Sequence, residues 1–204
     1  MQQTYARINA DGEVVQWPVL PAHIASSGLP RRFFEAVKAA PPPDHNHVTH
    51  NAAPRAPVRD AGGNLVQRWE IVPLTLDQVR QTQLAALADL RWRKETGGVS
   101  LPDGGAINTS REAQAQVSSA FSALQSGMIA TIEWKSVLGW VTVTLAEFTP
   151  VASVVAQHVQ ACFAAERAVA LSIEAAQSVD DLAALSLFAD FEAAYAVAMA
   201  QSST

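Results

Sequence analysis

The last 60 residues of the chain contain 18 alanines, one proline and no glycine. Alanine loses no side-chain entropy in a helix, so this composition predicts helices from here to the end. Within 144–204 the only basic residue is Arg167, against seven acidic residues. Helices with so few charges are unstable alone in water, so we expect them to pack closely against other helices.

Start signals divide this region into two predicted helices. Two start signals compete for the first helix: Thr144 and Glu147 have the spacing of a capping box, and Thr149 and Pro150 resemble an N-cap followed by proline. We favour the second, with a turn at 145–148 and a helix over about 150–176. A second helix is expected from Ser178, whose hydroxyl can cap it. The first helix carries a stripe at 4-3 spacing, which is typical of helix-on-helix packing, in the same chain or in another: Val151, Val155, His158, Cys162, Ala165 and Val169.

The N-terminal part reads as a small β-rich region. Strands are predicted at 4–8 and 13–19, joined by a turn at Asp11-Gly12, and a short helix is expected over 30–39. Five prolines and two glycines within 40–64 indicate an extended linker. We therefore divide the chain into an attachment region (1–39), a Pro/His-rich linker (40–64), a connecting strand and helix start (65–83) and a helical domain (84–204).

The middle of the chain alternates between strands and helices. A strand is expected over 65–72, and capping boxes predict helices from Thr75 to about Glu95 and from Thr109 to Gly127. The segments between and after these helices read as two hairpins, at 99–107 and at 129–144. The predicted fold class is α+β: a small β-rich region, a proline-rich linker and a mainly helical domain with short β-hairpins.

Composition excludes several classes of protein. With 49% hydrophobic and 16% charged residues, the chain is not disordered throughout. Its single cysteine excludes an internal disulfide framework and a multi-cysteine metal site. The net charge of −5 argues against a nucleic-acid partner. No apolar run is long enough for a membrane span, and the first 15 residues lack the apolar stretch of a signal peptide, so we expect no membrane partner.

Histidines supply the only candidate metal ligands. His45 and His47 lie two residues apart in the proline-rich segment, and two imidazoles at this spacing can bind one ion, with a pair from each chain of a trimer giving six ligands. The competing interpretation is a solvated polar loop, which we favour because no supporting pattern surrounds the pair. We therefore expect no metal and no other cofactor.

Cys162 and His158 are the one pair that could supply a nucleophile. They stand four residues apart on a predicted helix and therefore share a face, as a thiol and its general base would. Apolar neighbours favour a buried and inert cysteine instead. The basic residues Arg91, Arg93 and Lys94 beside Trp92 favour a solvated helix end over a nucleic-acid contact, because Asp89 and Glu95 flank them. We therefore predict no catalytic residues.

Tryptophans and the valines of the 4-3 stripe are the candidate contacts with partners. Aromatic residues anchor both cores and interfaces, and Trp134 and Trp140 flank one turn, so they are expected to lie near each other. The tryptophans are explained at least as well by one buried aromatic residue in each small sheet as by a sugar-binding site. The interface candidates are Trp17, Trp69, Trp92, Val151, Val155 and Val169.

Several blocks of sequence, in order, resemble a domain of unknown function common in bacteriophage tail-fibre and tail-associated proteins. They are LRWRKETGGVSLPDG at 90–104, INTSREAQ at 107–114, IEWK at 132–135, GWVTVTLAEF at 139–148 and HVQACF at 158–163. The resemblance covers about 84–190. More loosely, 5–20 and 68–75 look like parts of phage tail and fibre-assembly proteins.

The resemblance implies a structural role in the tail of a virion, in a tail fibre, fibre adaptor or baseplate. Such a subunit acts through contacts with other tail or fibre proteins, and it is expected to form a trimer or hexamer in the particle. The alternative is a fibre-assembly chaperone that leaves the mature virion. A third interpretation, a hydrolase that uses Cys162 and His158, depends on the thiol being accessible.

Overall fold

The computed structural model describes residues 3–100, 105–136 and 139–202. The chain forms two compact units, an N-terminal unit (Met1–Thr75) and a C-terminal unit (Leu76–Thr204). Strands dominate the first unit and helices the second. The predicted α+β class, with a small β-rich N-terminal region and a helical part that carries short hairpins, is confirmed.

The N-terminal unit contains a three-stranded antiparallel sheet and a separate hairpin. In the sheet, β1 (Tyr5–Ile8) lies between β2 (Val14–Val19) and β3 (Phe34–Ala36). The hairpin consists of β4 (His50–Arg59) and β5 (Leu65–Pro73). A helix, α1 (Pro21–Ser26), and a 3-10 turn (Arg31–Phe33) follow β2. The small core of this unit contains Ala6, Val37 and Leu65, with Ile8, Val14 and Trp17 packed against it.

Two expectations for this unit are wrong. The segment 30–39, predicted as a helix, forms a 3-10 turn followed by β3. The backbone of β3 pairs with β1, and Phe34 is buried there. The proposed linker at 40–64 contains strand β4, which pairs along β5. Proline is tolerated in an edge strand, and Pro54 and Pro57 lie in one, with a register shift between Arg55 and Val58. The boundary between units falls at Thr75, so β5 belongs to the first unit.

In the C-terminal unit, most of the other helices pack around one long helix. Three helices pack against α4 (Leu145–Ala175): α2 (Leu76–Thr96), α3 (Arg111–Gln125) and α6 (Leu187–Ser202). A short helix, α5 (Val179–Ala184), joins α4 to α6. Two hairpins complete the unit, β6 (Val99–Ser100) with β7 (Ala106–Ile107), and β8 (Thr131–Ser136) with β9 (Gly139–Thr144). Residues 101–104, between β6 and β7, and residues 137–138, between β8 and β9, lie outside the described residues.

A core cluster joins α3, α4 and the β8–β9 hairpin. Its buried members are Val117, Leu124, Phe148 and Val155. The Trp134 ring packs on Phe148 edge to face, with 4.9 Å between the ring centroids. Ile132 and Val143 lie on the same face of the hairpin and also pack against the cluster.

The start of α4 differs from the expectation. The helix begins at Leu145 because Thr144 and Glu147 form a capping box, in which the Glu147 carboxylate accepts the Thr144 amide at 2.8 Å. These bonds lower the pKa of Glu147. Pro150 therefore lies inside the helix, where it removes one backbone donor. The helix expected from Ser178 is capped there as predicted, but it divides into α5 and α6 at Leu185-Ser186.

Candidate functional site

A buried carboxylate, Glu95, lies in the last turn of α2. Its side chain has no solvent exposure, and burying an ionised carboxylate is costly unless it is paired. Arg91, one turn earlier, binds one oxygen of Glu95, and Arg111 Nη1 lies 3.1 Å from the other. The Gln114 side-chain amide also donates to Glu95, at 3.3 Å. Two guanidinium groups thus compensate the buried charge.

Arg91 extends this pairing to α4. Its Nε donates to Glu166 at 3.0 Å, and its guanidinium lies 4.7 Å from the centre of the Phe163 ring. Burial acts to lower the pKa of Arg91, but hydrogen bonds and charge from Glu95 and Glu166 outweigh it and raise the pKa. Arg91 is therefore a permanent cation that ties α2 to α4.

Thr109 connects the cluster to the β6–β7 segment. This buried residue accepts the Gly98 amide at its hydroxyl, at 2.9 Å, and its carbonyl accepts the Gln114 side chain at 2.7 Å. Gly98 ends α2 with a φ of +95°, a conformation that favours glycine. We call the following group the Glu95 cluster: Arg91, Glu95, Thr109, Arg111, Gln114 and Glu166.

His158 on α4 packs beside this cluster in a fixed tautomer. Its Nε2 lies 3.2 Å from the carbonyl oxygens of both Lys94 and Glu95, so Nε2 must carry the proton. Nδ1 then accepts the hydroxyl of Tyr195 at 2.8 Å. Burial lowers the pKa of His158, which keeps the ring neutral. Burial also raises the pKa of Tyr195 to about 12, so Tyr195 stays a donor.

Cys162 does not form a nucleophile–base pair with His158. The sulfur lies 4.0 Å from Nε2, but that nitrogen already holds a proton directed at two carbonyls and cannot accept the one on the thiol. Cys162 is fully buried, and burial raises the pKa of its thiol to about 12. The interpretation of Cys162 as a core residue therefore fits the geometry, and the hydrolase interpretation does not.

The sequence profile of one family, described as "Domain of unknown function (DUF4376)", matches residues 78–194, more than half of the chain. The chain belongs to this family. The matched segment begins two residues into α2 and ends within α6, so the DUF4376 domain corresponds to nearly all of the C-terminal unit. No curated protein and no solved structure matched the chain.

The predicted basic cluster at the end of α2 is internally paired within the DUF4376 domain. Arg91 binds Glu95 and Glu166, Arg93 binds Asp89 at 2.6 Å, and Lys94 binds Glu192 on α6 at 2.8 Å. The Lys94 ammonium also lies 4.6 Å from the centre of the Tyr195 ring. Arg91 and Lys94 thus tie α2 to α4 and α6, whereas Arg93 pairs within α2. All three are paired with carboxylates and do not form an open cationic patch. No helix among the described residues is long and apolar enough to cross a bilayer.

The histidine segment precedes β4 in the N-terminal unit. The rings of His45 and His47 meet edge to face with 4.1 Å between their centroids, and His45 Nδ1 lies 2.8 Å from the Pro43 carbonyl oxygen. Within the described ranges, no group of three or more His, Cys, Asp or Glu side chains is arranged to hold a metal. His45 and His47 could thus supply at most two ligands to a metal ion from one chain.

The interface candidates divide into core and surface residues. Val155 and Val169 are buried in the C-terminal unit, so the stripe of α4 packs within the chain and these two are not free for a partner. Val151 is half-buried against the α3–α4 core. In the N-terminal unit, Trp69 donates its indole N–H to the Ala40 carbonyl at 2.8 Å, and Trp17 packs against the small core.

One interface candidate, Trp92, lies on the surface of the DUF4376 domain. Trp92 is half exposed and Trp140 is 68% exposed. Trp134 and Trp140 occupy opposite faces of the β8–β9 hairpin, because Trp134 pairs with Val141 and Trp140 pairs with Lys135. The expectation that the two tryptophans lie near each other is therefore wrong, because their side chains are on opposite faces of the hairpin.

Two apolar grooves run beside α4 on the surface of the DUF4376 domain. One, of about 400 Å³, lies between α3 and α4 and includes Phe121, Ala156 and Val159. The other, of about 520 Å³, follows α4 and includes Phe163, Ala164 and Leu171. The first ends at Gln160, where the second begins, so apolar surface extends along most of α4.

Sequence reasoning missed Glu95 as the centre of the polar cluster. A Glu four residues after an Arg is the usual pattern of an exposed helix pair, and the sequence gives no sign that this one is buried. Three of the blocks that resemble the tail-associated domain nevertheless contain polar residues, and Arg91, Gln114 and His158 from these blocks all contact Glu95 in the structure.

Proposed function

We propose that the protein is a structural component of a bacteriophage tail, in a fibre, fibre adaptor or baseplate, and that it acts through protein–protein contacts. The resemblance of 84–190 to a domain of phage tail proteins suggests the tail. The observation that carries the mode of action is the exposed apolar surface along α4. Large apolar side chains are exposed there and on α6: Phe163, Leu171, Phe188 and Val197. Exposed apolar patches of this kind mark interaction sites.

The inert Cys162–His158 pair supports a role without catalysis. Cys162 and His158 are buried, and the Glu95 cluster is occupied by its own ion pairs. These groups position α2, α3 and α4 relative to one another. In this proposal the C-terminal unit is a rigid support, and its surface makes the contacts in a virion, with copies arranged symmetrically.

Deletion of the gene from the encoding phage or prophage tests this function. We expect particles with incomplete tails in electron micrographs and a loss of plating efficiency, both restored by the wild-type gene in trans. A Cys162→Ala gene should restore both to the same degree, since the thiol has no chemical role here. Normal tails and normal plating without the gene would overturn the proposal.

The second candidate is a chaperone for fibre assembly that leaves the mature particle. The exposure of Trp92 and Trp140 favours it, because a chaperone needs accessible aromatic side chains to hold an unfinished partner. Co-expression with the neighbouring fibre gene distinguishes the two. A chaperone raises the yield of soluble fibre and is missing from purified particles, whereas a tail subunit is retained in them.

A further inference from the structure

Strand β9 presents an unprotected sheet edge. Among the described strands it pairs with β8 alone, over six consecutive residue pairs without a bulge. Its sequence from Trp140 to Thr144 is aromatic or β-branched throughout and contains neither charge nor proline. Trp140, Val141 and Thr142 are all exposed. An uncharged edge of high β propensity without a bulge is a template for pairing with another strand.

The other strands of comparable length carry the devices that prevent such pairing. β4 contains Pro54, Pro57 and two arginines, and its register shifts between Arg55 and Val58. β8, the direct partner of β9, carries Glu133 and Lys135 on its outer face. Prolines, bulges and charges all discourage edge-to-edge contact. β9 has none of them, although it lies in the same hairpin as β8.

We propose that β9 pairs antiparallel with β9 of a second copy of this chain, around a two-fold axis at Thr142. The two hairpins then form one four-stranded sheet in the order β8, β9, β9 and β8. The strand is self-complementary in this register. Thr142 faces its own counterpart, Val141 faces Val143, and Trp140 faces Thr144, all without like charges in contact.

This register also keeps the two faces of the sheet distinct. Val141 and Val143 share a face with Ile132 and Trp134, which pack on the α3–α4 core. Their counterparts would extend that apolar face across the axis, while Trp140 and Thr142 continue the outer face. A shift of one residue would put valines opposite threonines of the other face, so the alternation excludes such registers. Among the registers that keep the faces distinct, an axis at Thr142 is the one that pairs every residue from Trp140 to Thr144.

The inference concerns the contact between copies and does not depend on the tail role. An edge-to-edge two-fold is an isologous contact, which a dimer or a dihedral hexamer contains and a simple cyclic trimer does not. The inference fails if the purified protein does not dimerise through β9. The tail proposal fails if the gene is dispensable for tails, so the two failures are distinguishable.

A single cysteine at the axis tests the register. In the full chain carrying Thr142→Cys, directly opposite residues of paired strands have Cα atoms about 4.5–5.5 Å apart, within the range of about 4.4–6.8 Å that a disulfide spans. We expect a mild thiol oxidant to link two copies through a disulfide between the two introduced thiols, visible on a non-reducing gel. The buried Cys162 should not contribute. The matched control is Thr131→Cys, on the same face of β8, which should remain unlinked. Equal linking of both variants would overturn the register.

A charge at the axis tests the contact itself. Thr142→Lys places an ammonium opposite Glu133 in its own hairpin, which supports the fold, but it also brings two like charges together across the axis. We expect light scattering over a concentration series to show wild-type dimers and about tenfold or more weaker association of this variant. The control variant Thr131→Lys should dimerise like the wild type. Both lysine variants should keep the thermal midpoint of the wild type, which shows that they fold normally. A monomeric wild-type protein, or equal effects of both lysines, would overturn the proposal.

Discussion

The two units hold their charged groups in opposite ways. In the N-terminal unit, Arg59 binds the Glu35 carboxylate at 2.8 Å and Arg55 binds Glu70, and both pairs are partly exposed to solvent. In the C-terminal unit, Glu95 is completely buried beneath Arg91 and Arg111. Exposed ion pairs contribute little to stability, whereas loss of one partner from a buried pair leaves an uncompensated charge. We therefore expect the C-terminal unit to depend on a few polar residues and the N-terminal unit on backbone pairing and apolar burial.

Removal of the buried carboxylate gives the largest expected effect. Glu95→Ala leaves Arg91 with Glu166 alone and frees Gln114 from one of its acceptors, so we expect the free energy of unfolding to fall by about 3–5 kcal/mol. Urea titration followed by circular dichroism at the helical signal measures it. Asp89→Ala, which removes an exposed acid from the same helix, is the control. A loss below about 1 kcal/mol for Glu95→Ala would show that burial of this charge is unimportant.

Truncation of the small apolar core gives the next effect. Leu65→Ala removes the largest fully buried side chain of the N-terminal unit, and we expect local stability to fall by about 2–3 kcal/mol. Amide hydrogen exchange in β1 and β5 reports it directly. Val15→Ala, at an exposed position on β2, should leave the exchange unchanged. If the amides of β1 and β5 were equally protected from exchange in Leu65→Ala and Val15→Ala, this core would not be important for the stability of the unit.

Acid should weaken the C-terminal unit through His158. Burial lowers the pKa of this histidine in the folded state, so the unfolded chain binds its proton first as the pH falls. Stability is therefore complete above the ordinary histidine pKa of about 6.5 and declines below it, by up to about 1.4 kcal/mol per pH unit. His158→Gln should flatten this slope. An unchanged slope would assign the pH dependence to another group.

The exposed pair of the N-terminal hairpin should have the smallest effect. Arg55→Ala breaks the contact with Glu70, and because both side chains are more than half exposed we expect a loss below about 0.5 kcal/mol. Exchange protection of β4 and β5 amides measures it. A loss comparable to that of Glu95→Ala would erase the difference between the two units.

Local signals in the sequence predicted a large part of this fold. Asp11-Gly12 marked the β1–β2 turn, Gly97-Gly98 marked the end of α2, and Ser178 capped the next helix as expected. Each of these depends on backbone geometry within a few residues. Such geometry is determined by the identity of the local residues.

One error arose where two local signals competed, and the others arose where tertiary contacts override local preference. Two start signals competed for α4, and the Thr144–Glu147 box was preferred over Pro150 because it satisfies more backbone groups. Strand β4 contains prolines that argue against a strand, and pairing along its partner β5 stabilises it. The burial of Glu95 depends on residues 16 and 71 positions away, Arg111 and Glu166, the latter through Arg91. Local sequence patterns do not predict contacts between residues so far apart in the sequence.

The copy number of this protein in purified particles tests the central claim most directly. Gradient-purified phage would be digested and quantified against isotope-labelled peptides of this chain and of the major capsid protein. The account predicts a fixed number of copies per particle that is a multiple of three, about three in a cyclic ring or about six where the copies also pair through β9. Fewer than about one copy per particle would contradict a structural role in the tail.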